Sequence, residues 1–349
     1  KAKWIWRSRD VLVKDYAYVR KTLEIGCGVA YAKLFVSAHH TMRVYVNGVR
    51  IGGYVSPAPT NPWKRKLYLA YDITANLQPG ICCIAVIGHY TGGSGQNYVN
   101  GLPGIRAQLD IVYSDGRRET CGTDESWQAL KEMPHAVGTP FQQNRRLSAV
   151  ESYDAAKLIP DWNRADCRSD AFGQAVTARI GRDEWPMKWQ ALPEGAVEEA
   201  IVPIRVQDGR SRTEDREGAS AEGVWRQVFD AGKIVSGWPR IAVKGIPGAT
   251  VRLRYAEALD ESGGVKRYVA NETAEYYYDE YTILGDETEI WQPDLSYKAF
   301  RYVEVTGYPE AIVPGANLVV VSAHTDVALA GGFRSSDPHL NALYEAAVQ

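Results

Sequence analysis

The residues with the most distinctive chemistry lie in a glycine-rich stretch, residues 88–104, which follows an apolar run at 82–88. This stretch contains three amide side chains and two tyrosines: Tyr90, Gln96, Asn97, Tyr98 and Asn100. Amides hydrogen-bond to ring hydroxyls, and an aromatic face packs against the apolar C–H face of a sugar. The composition therefore suits a neutral polyol. An inter-strand loop whose amides cap backbone groups would look the same, and the sequence leaves both interpretations open.

The predicted binding set also includes an asparagine and a tryptophan from earlier in the chain. Its six candidate sugar-contacting residues are Asn47, Trp63, Tyr90, Asn97, Tyr98 and Asn100.

Other patterns that carry chemistry are absent from the sequence. No Gly-Lys-Ser/Thr follows the glycines, which argues against a phosphate loop. The six histidines form no H-E-x-x-H or other spaced ligand set, and Ser94 lacks the G-x-S-x-G pattern of a nucleophile elbow. The five cysteines include no C-x-x-C pair, so we expect reduced thiols. We predict no metal ligand and no catalytic residue in this chain.

Charge and hydropathy exclude further classes of protein. Forty Lys and Arg residues against 42 Asp and Glu residues give a net charge of −2, without the basic excess of a nucleic-acid binder. The longest apolar stretches are too short to span a bilayer or contain polar breaks, so we expect no membrane partner. The first residues contain no apolar h-region, so we expect no signal peptide; the compartment stays open, with a cytoplasmic location favoured.

The composition indicates an all-β protein, with 21 Tyr, 10 Trp, 32 Gly and 17 Pro. Aromatic residues favour half-buried strands, while Gly and Pro favour turns. Asn47-Gly48 is a strong hairpin-turn signal because both residues tolerate a positive φ. The predicted strands cover residues 16–25, 32–38, 42–47, 49–51, 67–73, 82–88, 107–113, 126–130, 224–231, 240–244, 250–258, 276–284, 288–291, 300–307 and 318–323.

These strands predict two β-sandwich (jelly-roll-like) domains in tandem, with a short C-terminal helix. We place the first sandwich at 1–165, an irregular connector at 166–204, the second sandwich at 205–330 and the start of a helix at 331–349. Within the second unit, the polar segment 205–223 is expected to be an exposed excursion. Ser336-Asp337-Pro338 is a helix-start signal, followed by apolar residues at helical spacing.

A series of short segments resembles the β-domains that precede the catalytic barrel in bacterial α-L-rhamnosidases, glycoside hydrolase family 78. In the second half these are FDAGK (229–233), GW (237–238), RLRYAEAL (252–259), DEYTILG (279–285), WQP (291–293) and FRYVEVTG (300–307). In the first half they are VNG (46–48), YDIT (71–74), YSDG (113–116), TDESW (123–127) and YDAA (153–156). GFRSSD (332–337) resembles the entry into the first barrel helix. The resemblance covers nearly the whole chain.

The resemblance implies inverting hydrolysis of terminal α-L-rhamnose by two acidic residues of an (α/α)6 barrel. Twelve helices of ~11–12 residues need well over ~150 residues, whereas only residues 336–349 follow Ser335. We therefore expect this chain alone to be inactive and to serve as an accessory scaffold. Its implied partners are a rhamnose-containing glycan or glycoside and the catalytic barrel, which would dock near Phe333, Leu340, Leu343 and Tyr344. The alternatives are a free-standing carbohydrate-binding protein and a purely structural one.

Some family members also resemble a rhamnose-binding module that uses calcium, and the resemblance would place Asn47 and Asn97 near such an ion. Calcium prefers six to eight oxygen ligands. Val46, not a carboxylate, precedes Asn47, and residues 88–104 contain no Asp or Glu. We therefore predict no cofactor. The resemblance leaves calcium open as the single alternative.

Overall fold

The computed structural model describes residues 2–93, 99–142, 150–167, 170–178, 185–210, 225–266, 268–269, 272–273, 275–293 and 295–348. Within these residues the regular structure is almost entirely β-strand. The strands, numbered in chain order, are β1 Ile5–Trp6, β2 Asp15–Ile25, β3 Val29–Ala38, β4 Met42–Val46, β5 Val49–Ser56, β6 Lys66–Asp72, β7 Gly80–Tyr90, β8 Ile105–Tyr113, β9 Arg118–Gly122, β10 Gln128–Leu130, β11 Ser152–Asp154, β12 Phe172–Gln174, β13 Val176–Thr177, β14 Met187–Trp189, β15 Gly195–Ile201, β16 Ile204–Arg210, β17 Trp225–Val243, β18 Thr250–Ala256, β19 Tyr268–Val269, β20 Glu272–Thr273, β21 Tyr278–Thr282, β22 Glu289–Trp291, β23 Lys298–Thr306 and β24 Leu318–Thr325. Short 3-10 turns occupy Thr74–Asn76 and Ala155–Lys157, and the α-helix α1 spans Pro338–Val348. The predicted all-β class with one short C-terminal helix is confirmed.

The first half of the chain forms two facing sheets around an apolar core. A seven-stranded sheet has the order β13-β1-β8-β3-β6-β14, with β9 paired to β8. The residues of β8 alternate between buried and half-buried along the strand. This is the period expected for a strand that packs one apolar face against the core. The facing layer contains β4, β7 and β2, and β2 pairs with β7 from Asp15↔Tyr90 to Ile25↔Gly80. Their apolar side chains meet in one cluster that includes Val19, Val86 and Leu109.

The β4–β5 hairpin turns at Asn47-Gly48, as the sequence predicts. Val46 pairs with Val49 across the turn, and Asn47 and Gly48 have φ of 48° and 82°. Both values lie in the left-handed region that Asn and Gly tolerate, which is the geometry of a type I′ turn.

The second half contains a separate apolar core around one long, bent strand. β17 pairs with β16 and β23 along its first part and with β24 and β22 along its last part. The register shifts between Asp230 and Val235, where the Asp230 carboxylate accepts a hydrogen bond from Gly232 N at 2.7 Å and pairs with Arg301. The sequence predicts two strands, at 224–231 and 240–244; the structure joins them because this bulge bends the chain without ending its pairing.

The two halves share a continuous sheet of fifteen strands. β15 pairs with β24 from Gly195↔Thr325 to Ile201↔Val320 and with β5 at Gly195↔Tyr54, so it connects the strands of both cores. Strands β12 to β15 lie within 166–204, the expected irregular connector, and β16 begins the expected polar excursion. Residues 211–224 lie outside the described residues, and the domain boundaries stay a prediction.

A buried polar cluster fastens the chain segment before β11 to the second core. The Asp279 and Lys298 side chains form an ion pair with no solvent exposure. Asp279 also accepts hydrogen bonds from the Tyr255 hydroxyl at 2.6 Å and from Glu151 N at 2.8 Å, and Glu151 contacts His135 Nε2 at 3.2 Å. Buried charges persist when they are paired and hydrogen-bonded in this way.

The C-terminal helix begins as predicted. Asp337 Oδ1 accepts a hydrogen bond from His339 N at 2.8 Å, which is the N-cap contact, and Pro338 occupies the first helical position. The Asn341 side chain fixes the segment that leads into the helix, because its oxygen accepts a hydrogen bond from Ser335 N and its amide nitrogen donates one to Ser335 O. Among the described residues, no helix has the length and apolar character needed to cross a membrane.

Candidate functional site

Three of the six predicted sugar-contacting residues lie together on the first sandwich. Trp63 Nε1 donates a hydrogen bond to the backbone oxygen of Asn100 at 3.3 Å, and the Tyr90 hydroxyl lies 3.2 Å from Asn100 Oδ1. A third aromatic residue, Trp185, meets Trp63 edge-on, with ring centroids 6.0 Å apart. We call Trp63, Tyr90, Asn100 and Trp185 the Trp63 patch.

Trp63 provides the exposed surface of this patch. It lies in a turn held by Asn61, whose side-chain oxygen accepts from Trp63 N at 3.1 Å and whose backbone oxygen accepts from Lys64 N and Arg65 N. The turn leaves the indole 56% exposed. An indole fixed in this way can pack against the apolar face of a sugar ring at little cost in side-chain entropy.

Tyr90 supports the patch from beneath. It is buried at the end of β7, and its hydroxyl lies 3.0 Å from the backbone oxygen of Gly101 as well as near Asn100. The ring packs on His40, with centroids 5.8 Å apart, and it lines a cavity of about 320 Å³ with Trp6 and Leu102. Within the patch, Tyr90 therefore holds Asn100 in place.

Trp185 and His39 form the floor of the patch and were not among the predicted residues. Trp185 is buried against Trp4 and His39, at centroid distances of 5.2 and 5.1 Å. Gly101 covers both, since a Cβ at this position would come within 2.9 Å of either ring. The sequence offered one signal, a tryptophan in a connector of poor periodicity, but nothing in it joins residue 185 to residue 63.

The imidazole in the floor of the patch is uncharged at neutral pH, whereas the neighbouring Lys66 is partly protonated. Burial, together with the nearby Lys66, lowers the pKa of His39 to about 3, so its imidazole is neutral. Burial also lowers the pKa of Lys66 to about 7, and its ammonium donates to the backbone oxygen of His39 at 2.5 Å. The uncharged aromatic rings of the floor suit the apolar face of an uncharged ligand.

Asn47, the other predicted residue that the structure describes, is not brought to this patch. Asn47 lies in the β4–β5 turn, where its Oδ1 accepts from Cys83 N at 2.7 Å and its N donates to Cys83 O at 2.9 Å. Its side chain therefore holds the turn against β7. Asn97 and Tyr98 lie outside the described residues.

The side chains that most often ligate metals are not clustered in the described residues. These residues contain no group of three or more His, Cys, Asp or Glu side chains placed to hold a metal ion. The resemblance would place Asn47 and Asn97 near calcium, and of these two the structure describes Asn47. Its side-chain oxygen accepts a hydrogen bond from a backbone amide. This contact gives the Asn47 side chain a structural role in the turn, and we assign no step to the ion.

Two family descriptions match this chain. Residues 28–206 match the α-L-rhamnosidase N-terminal domain, and residues 222–324 match the bacterial α-L-rhamnosidase concanavalin-like domain. An α-L-rhamnosidase of Streptomyces avermitilis is 31% identical over 328 residues, which cover 90% of this chain and 29% of that protein. An α-L-rhamnosidase of Formosa agariphila is 27% identical over 365 residues, which cover 98% of this chain and 36% of that protein.

Solved structures show the same relationship. The α-L-rhamnosidase from Dictyoglumus thermophilum superposes with a TM-score of 0.81 at 27% identity, covering 98% of this chain and 37% of that one. The Streptomyces avermitilis enzyme, solved in complex with L-rhamnose, gives 0.77 at 26% identity, covering 95% of this chain and 31% of that one. The tandem strand layers and the matched domains show that this chain contains the β-domains of a glycoside hydrolase family. It belongs to the bacterial α-L-rhamnosidase family, glycoside hydrolase family 78.

Proposed function

We propose that residues 1–349 form the accessory β-sandwich region of an α-L-rhamnosidase and support its catalytic barrel. The observation that carries this proposal is the tandem match to the N-terminal and concanavalin-like domains in a chain that spans 29% and 36% of these two relatives' lengths. The parent reaction would be inverting hydrolysis of terminal α-L-rhamnose, with two carboxylates set far enough apart to admit a water molecule.

The C-terminal helix supports a docking role. None of its residues is buried, and Phe333, Leu340 and Leu343 are 49%, 45% and 67% exposed. An eleven-residue helix is marginal by itself, because most helical stability comes from packing an apolar face. We infer that this face packs against the helical barrel.

Hydrolysis assays test the accessory role. We expect residues 1–349 to show no turnover of 4-nitrophenyl α-L-rhamnoside above buffer, and the product of the complete reading frame to hydrolyse it. Turnover by residues 1–349 would overturn the accessory assignment. Inactivity of the complete product would overturn the parent reaction.

A second proposed role is glycan contact at the Trp63 patch, supported by the exposed indole beside Asn100. Trp63→Ala should weaken L-rhamnose binding about 3- to 10-fold in calorimetry, the equivalent of roughly 0.5–1.5 kcal/mol for a lost aromatic contact. Asn97→Ala and Tyr98→Ala should weaken it as well. Trp189→Ala is the matched control, because Trp189 is 55% exposed and lies outside the patch.

The same titration separates the remaining alternatives. EDTA should leave the affinity unchanged, because the described residues contain no group of three or more His, Cys, Asp or Glu side chains placed to hold a metal ion; a loss of binding on chelation would support a calcium site. Binding without any barrel activity in the complete product would favour a free-standing carbohydrate-binding protein. Wild-type protein that binds no sugar would leave a purely structural role.

A further inference from the structure

A second cavity lies where the two sandwiches meet. It has a volume of about 450 Å³, within the range of small-molecule sites. Its walls come from both halves of the chain: Tyr54 on β5, Glu194 just before β15, Trp238 on β17, Tyr297 before β23 and Thr325 at the end of β24. The Gly195↔Tyr54 and Gly195↔Thr325 pairings hold these walls together, so the cavity exists only when both sandwiches are folded.

Aromatic rings form part of the wall. Trp238 is fully buried, and its ring packs on Tyr54 with centroids 4.8 Å apart. The Arg50 guanidinium lies 3.7 Å from the Tyr54 ring centroid, which fixes that ring. Tyr297 is 46% exposed. Its ring is therefore available to pack against a ligand.

Glu194 supplies a positioned acceptor. Its Oε1 accepts hydrogen bonds from the Ser56 hydroxyl at 2.6 Å and the Tyr71 hydroxyl at 2.7 Å. Its Oε2 has no hydrogen-bond donor anywhere in the part of the chain that the structure describes. Two donors on one oxygen fix the carboxylate in place and leave the other oxygen for a ligand hydroxyl. The hydroxyls of Ser236 and Thr325 also line the cavity.

Much of the remaining wall is aliphatic, with Gln190 and His324 as its other polar side chains, and its backbone is strained at one point. Val55, Ala58, Pro59, Leu192 and Pro193 line it, and Val55 has a φ of 48°. A β-branched residue rarely adopts this left-handed backbone, which costs on the order of 1–3 kcal/mol, and such strain concentrates at ligand sites.

We propose that this junction cavity binds one pyranose ring of a neutral 6-deoxyhexose. Glu194 accepts hydrogen bonds from ring hydroxyls, and Tyr297 packs against the C–H face of the sugar. The 6-methyl group suits the aliphatic part of the wall, formed by Val55, Ala58, Pro59, Leu192 and Pro193, where a hydroxymethyl group would lose its hydrogen bonds to water without replacement. The site is distinct from the Trp63 patch, and it rests on the proposed function only for the choice of L-rhamnose as the probe.

The test is a calorimetric titration of residues 1–349 in a Trp63→Ala background, which weakens binding at the patch and leaves the cavity as the tighter site. We expect this protein to bind one L-rhamnose per chain. Glu194→Gln, which keeps an acceptor for Tyr71 and Ser56, and Tyr297→Ala should each weaken binding at least tenfold. Tyr276→Ala, a tyrosine 42% exposed and outside the cavity, should change it less than twofold. L-mannose, which differs by the 6-hydroxyl, should bind at least fivefold more weakly.

The outcomes separate the two sites. Loss of all binding in the Trp63→Ala background overturns the cavity and leaves the patch. Unchanged affinity on Trp63→Ala, with loss in the cavity variants, overturns the patch and supports the cavity. Unchanged affinity in both cavity variants overturns this proposal. Thermal unfolding monitors each variant, and if Glu194→Gln does not fold, the exposed Tyr297→Ala decides the result.

Discussion

Three histidines of the first sandwich, His39, His40 and His89, are buried and lie close to aromatic rings and to one another. His39 stacks on His40 with ring centroids 4.3 Å apart, and His89 stacks on Tyr16 at 4.7 Å. Burial is the main cause that lowers the pKa of His89 to about 3, with His135 and Lys298 adding to it. Since a buried imidazole is costly to charge, these rings make the fold sensitive to acid.

We predict that His89 makes the protein less stable as the pH falls below about 6.5, the ordinary histidine pKa. In that range the unfolded chain takes up a proton at this residue, whereas the folded chain does so only near pH 3, so the free energy of unfolding rises with pH between these values. His89→Phe should reduce this slope by about 1.4 kcal/mol per pH unit. Urea unfolding of both proteins at pH 5.0, 5.5 and 6.0 measures it, and equal slopes would contradict the assignment.

Asn47 and Asn100 show how residue type alone left a site undecided. Both were predicted to contact sugar, yet Asn47 bonds to the Cys83 backbone in a turn, while Asn100 links Trp63 to Tyr90 at the surface. The Asn47-Gly48 turn signal was itself readable from local sequence. The neighbours of Asn100 are 37 and 10 residues away, and only the folded sheets bring them together.

At the scale of elements, α1 is held at its start and open along its length. The Asp337 cap and the Asn341–Ser335 bonds define its first turn. Phe333 packs against Tyr344, with ring centroids 5.7 Å apart, which joins the preceding segment to the helix. The rest of its apolar side chains remain without an intramolecular surface in the described part of the chain.

We predict that Leu343→Asp acts only where a docking partner is present. In residues 1–349 the free energy of unfolding should change by less than about 0.5 kcal/mol, because this side chain is exposed. In the product of the complete reading frame the melting temperature should fall by several degrees, since docking would bury the leucine. Glu345→Gln, on the same helix, is the control. Equal effects in both proteins would argue against docking through this face.

Strands were predicted correctly where the alternation of buried and exposed residues is visible in the local sequence. The prediction failed where a strand depends on pairing with distant parts of the chain. The alternating β8 and the turn at residues 47–48 follow from the local pattern alone. The long β17 does not, because Gly232 and Lys233 resemble a strand end, and the pairing that carries the chain through the bend comes from β23 and β24, more than 60 residues away.

For the whole molecule, composition and turn spacing were sufficient to predict an all-β fold, and the motif series was sufficient for its family. The sites were harder. The walls of the junction cavity come from residues 54, 194, 238, 297 and 325, and no spacing in the sequence connects them. The floor of the Trp63 patch likewise combines residues 39 and 185. Such sites are products of long-range strand pairing, which a one-dimensional pattern does not encode.

The strand β15 has a practical consequence for dividing the protein. It lies between the two cores in the sequence and forms its longest ladder with β24 of the second core. β11, from the first half, also pairs with a strand of the second core, β21. A truncation near residue 204 would strip β24 of its neighbour on one side and leave a long, apolar strand edge open to solvent, which favours aggregation. The two cores are therefore best produced, swapped between relatives or fused to other enzymes as a single cassette.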